Sequence, residues 1–241
     1  MSPKQQAFVE AIAAAAADWQ DPDHPRRAEA VSATLDAPNR FTEQAIAFAI
    51  NQQMAELTVS ALGDWVDGRW ATHPQTVGVL NAGNIPLVGL QDLLAVVLTG
   101  HTYVGSLSSK SPHLLPAFVT EIRQHASDLT VTFVDTDTLF QRADALIATG
   151  QDDTIRWVAD QCDTHDIPSE RRLLRGHRYG VAVIDGNEDE DEREQLAEDM
   201  LLHEGAGCRS VAIVWAPKEL SPDPFLNAMA RFRGVFPVHP D

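Results

Sequence analysis

Apolar positions in the first third of the chain recur at helical spacing. Gln5 to Trp19 is alanine-rich and predicts a helix, and Thr42 predicts an N-cap for a second one whose apolar positions are Ala45, Ile46, Phe48, Ala49, Ile50 and Met54. Between them, Asp21 to Asn39 is rich in Pro, Asp and Arg, which predicts a loop with at most a short helix. From Thr76 the pattern changes to short β-branched runs alternating with helical stretches, the signature of a parallel α/β sheet. The strands predicted are Thr76 to Asn81, Tyr103 to Leu107, Thr130 to Val134, Ala145 to Ala148, Val181 to Asp185 and Val211 to Trp215. Helices are predicted between them over Leu87 to Leu98, Leu114 to His125, Asp153 to Cys162 and Glu192 to His203.

The chain of 241 residues is 44% hydrophobic, enough for one large domain or two modest ones. Its longest apolar stretch, Ile85 to Leu98, is interrupted by Pro86, Gly89, Gln91 and Asp92, so no membrane span is expected. The Ala13 to Ala17 run is too small and too soon followed by Asp18 for a secretory segment, and a cytoplasmic location is expected. Net charge is −17, with only three lysines, Lys4, Lys110 and Lys218. A surface of that sign repels polyphosphate backbones and argues against a nucleic-acid partner. Asn187 to Glu194, acidic except at Asn187 and Arg193, reads as a solvated helix entry rather than a metal site. Asp163, His165 and Asp166 read as an exposed loop.

Several catalytic signatures are missing: there is no G-x-G-x-x-G after a strand, no Walker A loop and no G-x-S-x-G elbow. His203-Glu204 begins like a zinc-protease motif, but position 207 is Gly. Two segments stand out instead. In Leu80-Asn-Ala-Gly-Asn-Ile-Pro-Leu87 a strand ends in a small-residue turn and Pro86 is expected to open an apolar helix. Such a turn brings Asn side chains to the strand's carboxyl end, where α/β folds hold ligands; a plain strand-to-helix turn fits equally. In His203 to Trp215 a helix breaks at Gly205 and Gly207, presents Cys208 and runs into a strand. Arg209 beside it favours a thiolate. A buried structural thiol is the competing reading for Cys208, and the one adopted for Cys162.

Together the two segments resemble the aldehyde dehydrogenase superfamily, most closely its fatty acyl-CoA reductase branch related to the bacterial luciferase reductase subunit. Gly83-Asn-Ile-Pro86, Leu107-Ser-Ser to Pro116, Thr149-Gly-Gln151 and Gly205-Ala-Gly-Cys-Arg209 are four ordered landmarks of that likeness. The resemblance implies an α/β fold, with a Rossmann-type cofactor domain carrying N-terminal helices and then an incomplete α/β catalytic domain. It divides the chain into an N-terminal helical segment over 1–72, a nucleotide-binding unit over 73–186 and the start of the catalytic domain over 187–241. It makes Cys208 the nucleophile and Asn84 an oxyanion donor, with Ser106, Ser109, Lys110, Thr149 and Gly150 around the cofactor.

The resemblance further implies an acyl-CoA reductase that uses NADPH or NADH to make an aldehyde through a cysteine thioester, with acyl-CoA and possible second copies of the chain as its partners. Three departures qualify it. The ribose-contacting lysine is replaced by about Ser106 and the acidic residue three positions on by Ser109, which removes a like charge facing a 2′-phosphate and admits NADPH. The glutamate that activates hydrolytic water should lie near Leu174, where no carboxylate stands, and that favours reduction over hydrolysis. Finally, 33 residues follow Cys208, fewer than the family's catalytic domain. A truncated or shortened relative, or a non-catalytic nucleotide- or acyl-CoA-binding remnant, is the alternative expectation.

Overall fold

A computed structural model describes residues 1–207 and 210–234. Four helices come first: α1 (Pro3–Asp18), α2 (Pro25–Leu35), α3 (Glu43–Glu56) and α4 (Val59–Val66). Ser2 caps α1 through Gln5 N–H, and Thr42 caps α3 through Ala45 N–H at 3.1 Å, as its hydroxyl chemistry predicts. The loop expected over Asp21 to Asn39 is corrected: α2 occupies most of it. Pro25 sits at the first helical position, where a missing N–H costs nothing, so its proline starts the helix rather than preventing it. Arg27 is buried on α2, donating to Trp19 O at 2.5 Å and to Asn51 Oδ1 at 2.8 Å.

The α/β part runs β1 (Thr76–Leu80), α5 (Leu90–Leu98), β2 (Thr102–Ser106), α6 (Leu114–His125), β3 (Val131–Phe133), α7 (Thr136–Arg142), β4 (Ala145–Thr149), α8 (Asp152–Thr164) and β5 (Arg172–Arg175). The strands form one parallel sheet in the order β3-β2-β1-β4-β5. Two of these elements, α7 and β5, are not predicted from the sequence. Arg172-Leu-Leu-Arg175, at the sheet's end, lacks the β-branched run that marks the other strands.

Alternation along the central strands divides the interior in two. Val77, Val79, Ala145 and Ile147 join the core made with α1, α3, α5 and α6. Leu80, Leu146 and Ala148 turn to the other face, against Leu139 and Phe140 of α7 and Val158 and Cys162 of α8. Gly78 lets α7 approach, since a Cβ there would fall 2.8 Å from Ala143 Cβ and 2.9 Å from Leu146 Cδ1. Trp19 meets Phe118 edge-on at 5.0 Å between ring centroids, fixing α1 to α6.

A second parallel pair, β6 (Gly180–Val183) and β7 (Val211–Trp215), carries α9 (Glu190–Leu201) and α10 (Asp223–Ala230). The strand expected at Val181 to Asp185 therefore belongs with β7, and the hydrogen bonding of the larger sheet ends at β5. α9 begins in the acidic run, where Asp189 and Glu192 form a reciprocal capping box. Val181, Val183, Ile213 and Trp215 leave an apolar surface exposed on this pair. Among the described residues, no helix is long and apolar enough to cross a membrane.

Candidate functional site

The site lies where the order of the large sheet reverses, outside the carboxyl ends of β1 and β4. Register aligns those ends, pairing Leu80 with both Ser106 and Ala148, and Thr149 with Arg175. Beyond β1, Asn81 is buried and anchors the turn: its N–H donates to Ser106 O at 3.0 Å, and its Nδ2 to Tyr103 Oη at 2.9 Å and Ser106 O at 3.1 Å. Burial drives the Tyr103 phenol pKa upward, keeping it protonated as a partner. The expected helix from Leu87 is corrected here. Leu87 has φ 53° and Gly89 φ 89°, so Pro86 to Gly89 is a turn and α5 starts at Leu90. Any Cβ at Gly89 would strike Asn81 Oδ1.

Asn84 projects from this turn, and its Nδ2 donates to Ala206 O at 2.6 Å. That bond joins the β1 turn to the segment between α9 and β7, across 122 positions of sequence. The segment reverses at three successive left-handed residues, His203 (φ 54°), Glu204 (φ 57°) and Gly205 (φ 71°). Cys208 and Arg209, the nucleophile and its activating cation in the sequence reading, lie outside the described residues. Their neighbours Gly207 and Ser210 are joined by a Ser210 N–H bond to Gly207 O at 3.0 Å.

Two cavities flank the Asn84–Ala206 bridge. One, of about 610 Å³, is lined by Asn39, Arg40, Gly83, Asn84, Lys110 and His203 among others. The second, of about 290 Å³, reaches the sheet ends and is lined by Asn81, Asp92, Thr149, Arg175, His203, Gly207 and Ser210 among others. Lys110 thus faces the first cavity, where its carbonyl accepts from Asn39 Nδ2 at 3.1 Å. Ser109 is exposed beside it. Ser106 is buried, with its hydroxyl 2.9 Å from that of Thr136. Thr149 accepts from Arg175 Nη1 at 3.2 Å, and Gly150 N–H donates to Arg175 O at 3.1 Å.

The sequence reading missed Arg175, Asp92 and His203. Arg175 Nη2 lies 2.5 Å from Asp92 Oδ1, placing an ion pair in the wall of the second cavity. In the sequence the Arg175 segment stands out only for an absent carboxylate, and nothing local announces the pairing with α5. Elsewhere, Cys162 is buried and its thiol pKa is raised, chiefly by burial, which agrees with a structural role. Asp163 pairs with Arg172 at 2.7 Å. Asp18, Glu121 and His125 have metal-compatible spacing, but Arg26 already meets Glu121 at 2.6 Å and His125 meets Asp18 at 3.0 Å.

Residues 1–231 match the family model described as acyl-CoA reductase (LuxC). A long-chain acyl-protein thioester reductase of Aliivibrio fischeri is 28% identical over 177 residues, spanning 66% of this chain and 36% of that protein. Among solved structures, HpcC of Thermus thermophilus superposes with a TM-score of 0.71 at 13% identity, covering 95% of this chain and 47% of the other. An NAD+ complex of aldehyde dehydrogenase from Bacillus cereus gives 0.70 at 15% identity, covering 97% and 50%. The PutA aldehyde dehydrogenase of Anabaena variabilis gives 0.67 at 16%, covering 95% and 54%. The likeness to these structures is one of fold, and the chain spans about half of their length.

Proposed function

The chain belongs to the acyl-CoA reductase (LuxC) family, and from that premise we propose that it takes an acyl group from a CoA thioester onto Cys208 for reduction to an aldehyde. The observation that carries this reading is the 2.6 Å bond from Asn84 Nδ2 to Ala206 O. It tethers an amide donor two residues before the proposed nucleophile. An amide nitrogen has two hydrogens, so one can hold Ala206 while the other meets a developing oxyanion.

In this mechanism the Cys208 sulfur attacks the acyl carbonyl carbon, Asn84 stabilises the oxyanion, and the C–S bond to CoA breaks to leave an acyl-cysteine thioester. When bound, a reduced nicotinamide supplies the hydride that takes the acyl carbon to the aldehyde level. The residues present fit such a dinucleotide: the second cavity lies at the reversal of strand order, and Arg175 and Thr149 place a cation and a hydroxyl there. In this reading Thr149 and Gly150 meet the pyrophosphate, while the ribose candidates Ser106, Ser109 and Lys110 stand at and beyond the end of β2, outside the lining of the second cavity, with Ser106 buried against Thr136 and Lys110 at the first cavity; NADPH is accepted at least as well as NADH because the ribose carboxylate is replaced at Ser109. The unit over 73–186 carries the cofactor and that over 187–241 the nucleophile, with β6 allied to the latter through its pairing with β7.

Intact-mass spectrometry after incubation with hexadecanoyl-CoA tests the first half of the reaction. One acyl equivalent is expected, absent in Cys208→Ala and formed about 10²–10³-fold more slowly in Asn84→Ala. An adduct retained by Cys208→Ala refutes the nucleophile. Calorimetry with NADPH and NADH tests the cofactor, and a clear preference for NADH would show that another acid holds the ribose hydroxyls. A chain that binds both ligands but forms no adduct would favour a non-catalytic binding role.

A further inference from the structure

Outside the lining of either cavity, three helices bring a different set of side chains together. α6 runs back from the site end of β2, so its last turn lies by the amino ends of the strands, packed against α1 and α2. Glu121 and His125 are four positions apart on α6 and share one face of it. Asp18 closes α1, and its Oδ2 lies 3.0 Å from His125 Nε2. One ligand atom from each of the three stands within 4.8 Å of the other two. Glu121 is the unusual member, with a side chain only 6% exposed. Arg26 Nη1 at 2.6 Å and His24 Nε2 at 3.7 Å both address the same oxygen, Oε2. Among the described residues Oε1 receives no hydrogen bond and, unlike His24 Nδ1, it is not enclosed. A carboxylate this buried ordinarily has its oxygens engaged.

We propose that Asp18, His125 and Glu121 through its Oε1 bind one divalent ion of the zinc class, with water completing the coordination. Bonds of about 2.0–2.2 Å in a tetrahedron put ligand atoms roughly 3.3–3.6 Å apart. Asp18 and His125 must therefore part by about half an ångström, and no pair must close by more than about 1.5 Å, shifts within the rotation of two partly exposed side chains. Arg26 stays where it is, fixing Glu121 through Oε2 while Oε1 takes the ion. The two carboxylates outnumber that one guanidinium, so the cluster favours a cation. An imidazole among the ligands selects zinc over magnesium or calcium. The ion ties the end of α1 to α6 where α2 begins, a structural role independent of the reading of Cys208.

Calorimetric titration of the 241-residue chain with Zn2+, in a Cys208→Ala background so that this thiol supplies no ligand, should show one site. The melting temperature should rise with free Zn2+, because the ion binds the folded chain. Co2+ in its place should give the visible bands of a four-coordinate ion with no thiolate charge-transfer band, and excess Mg2+ should not displace it. Asp18→Ala and His125→Ala, both at partly exposed positions, should each weaken binding by more than about 100-fold, beyond the cost of losing an outer hydrogen-bond partner, and remove the melting shift. His165→Ala, outside the cluster, should do neither. A parent chain that binds no Zn2+ at unit stoichiometry, binding undiminished in Asp18→Ala or His125→Ala, or binding lost in His165→Ala overturns the proposal. Should a variant fail to fold, the Co2+ spectrum of the parent decides: a six-coordinate or thiolate spectrum, or ready displacement by Mg2+, overturns it equally.

Discussion

Gly83→Ala tests whether the close packing of the β1 turn positions the site. A Cβ at Gly83 would fall 2.5 Å from Ser108 Cβ, closer still to Ser108 Oγ, and 3.1 Å from Lys110 Cβ. Ordinary carbon contact begins at about 3.4 Å, so the turn and the loop after β2 must part by about an ångström. The Gly83 φ is not in the left-handed range, and the effect is steric alone. Overpacking of this kind costs roughly 1–3 kcal/mol. For a chain of this length that lowers the melting temperature by about 2–12 °C. Because Asn84 is the next residue, the displacement should also slow acyl transfer, by about a hundredfold if the donor moves by the full ångström.

The assay is a double-mutant cycle with Ser108→Gly, read by thermal melting and by acylation rate. Ser108→Gly alone loses the Lys110 N–H bond to Ser108 Oγ at 3.3 Å and frees the backbone, a cost of roughly 0.5–1 kcal/mol. In the double variant the obstructing side chain is gone, so most of the Gly83→Ala penalty should vanish, leaving a coupling of about 1 kcal/mol or more. Strictly additive losses would refute the reasoning. They would mean that Gly83 is needed for some other reason than its approach to Ser108.

Three further outcomes follow from burial and exposure. Iodoacetamide near neutral pH should alkylate Cys208 well before Cys162, whose buried thiol has a raised pKa and reacts only on opening; equal rates read by peptide mass would end that distinction. Desolvation lowers the pKa of both His101 and His203 in the folded state, so the unfolded chain binds more protons below about pH 6.5 and stability should fall as pH drops from there toward the folded values. Urea midpoints at about pH 7.5 and about pH 5.5 should differ less in a His101→Gln, His203→Gly double variant, and an undiminished difference would assign the effect elsewhere. Val183 and Trp215, 81% and 68% exposed on the smaller sheet, should promote concentration-dependent self-association, which Val183→Lys with Trp215→Lys should abolish in sedimentation; an unchanged profile would clear that face.

What the sequence disclosed was local. The Thr42 cap, the acidic entry to α9, the central strands and the Asn84 turn each depend on residues within a few positions of one another, so their chemistry shows in the string of letters. α2 was hidden because a Pro-rich stretch reads as loop unless the proline is recognised at the first helical position. β5 was hidden because an edge strand of Arg and Leu carries little β signal. The cavity walls were hidden for a different reason. Arg175 and Asp92 meet across 83 positions, and only the fold brings α5 to the end of β5.

That pairing changes the meaning of the missing hydrolytic carboxylate. Alternation along β5 sends Leu174 to the core shared with α7 and α8, while Arg175, one residue on, turns to Thr149 and the second cavity. The β5 residue at the cavity is thus a guanidinium held by Asp92, rather than the leucine that the family resemblance singles out. A guanidinium offers only hydrogen-bond donors and no acceptor, so it cannot serve as the base for water. Its charge also disfavours a neighbouring base in its protonated form and favours a phosphate or a developing anion. The cavity that Gly207 and Ser210 also line therefore presents from β5 a cation and no base for water, which supports the proposed reduction over hydrolysis.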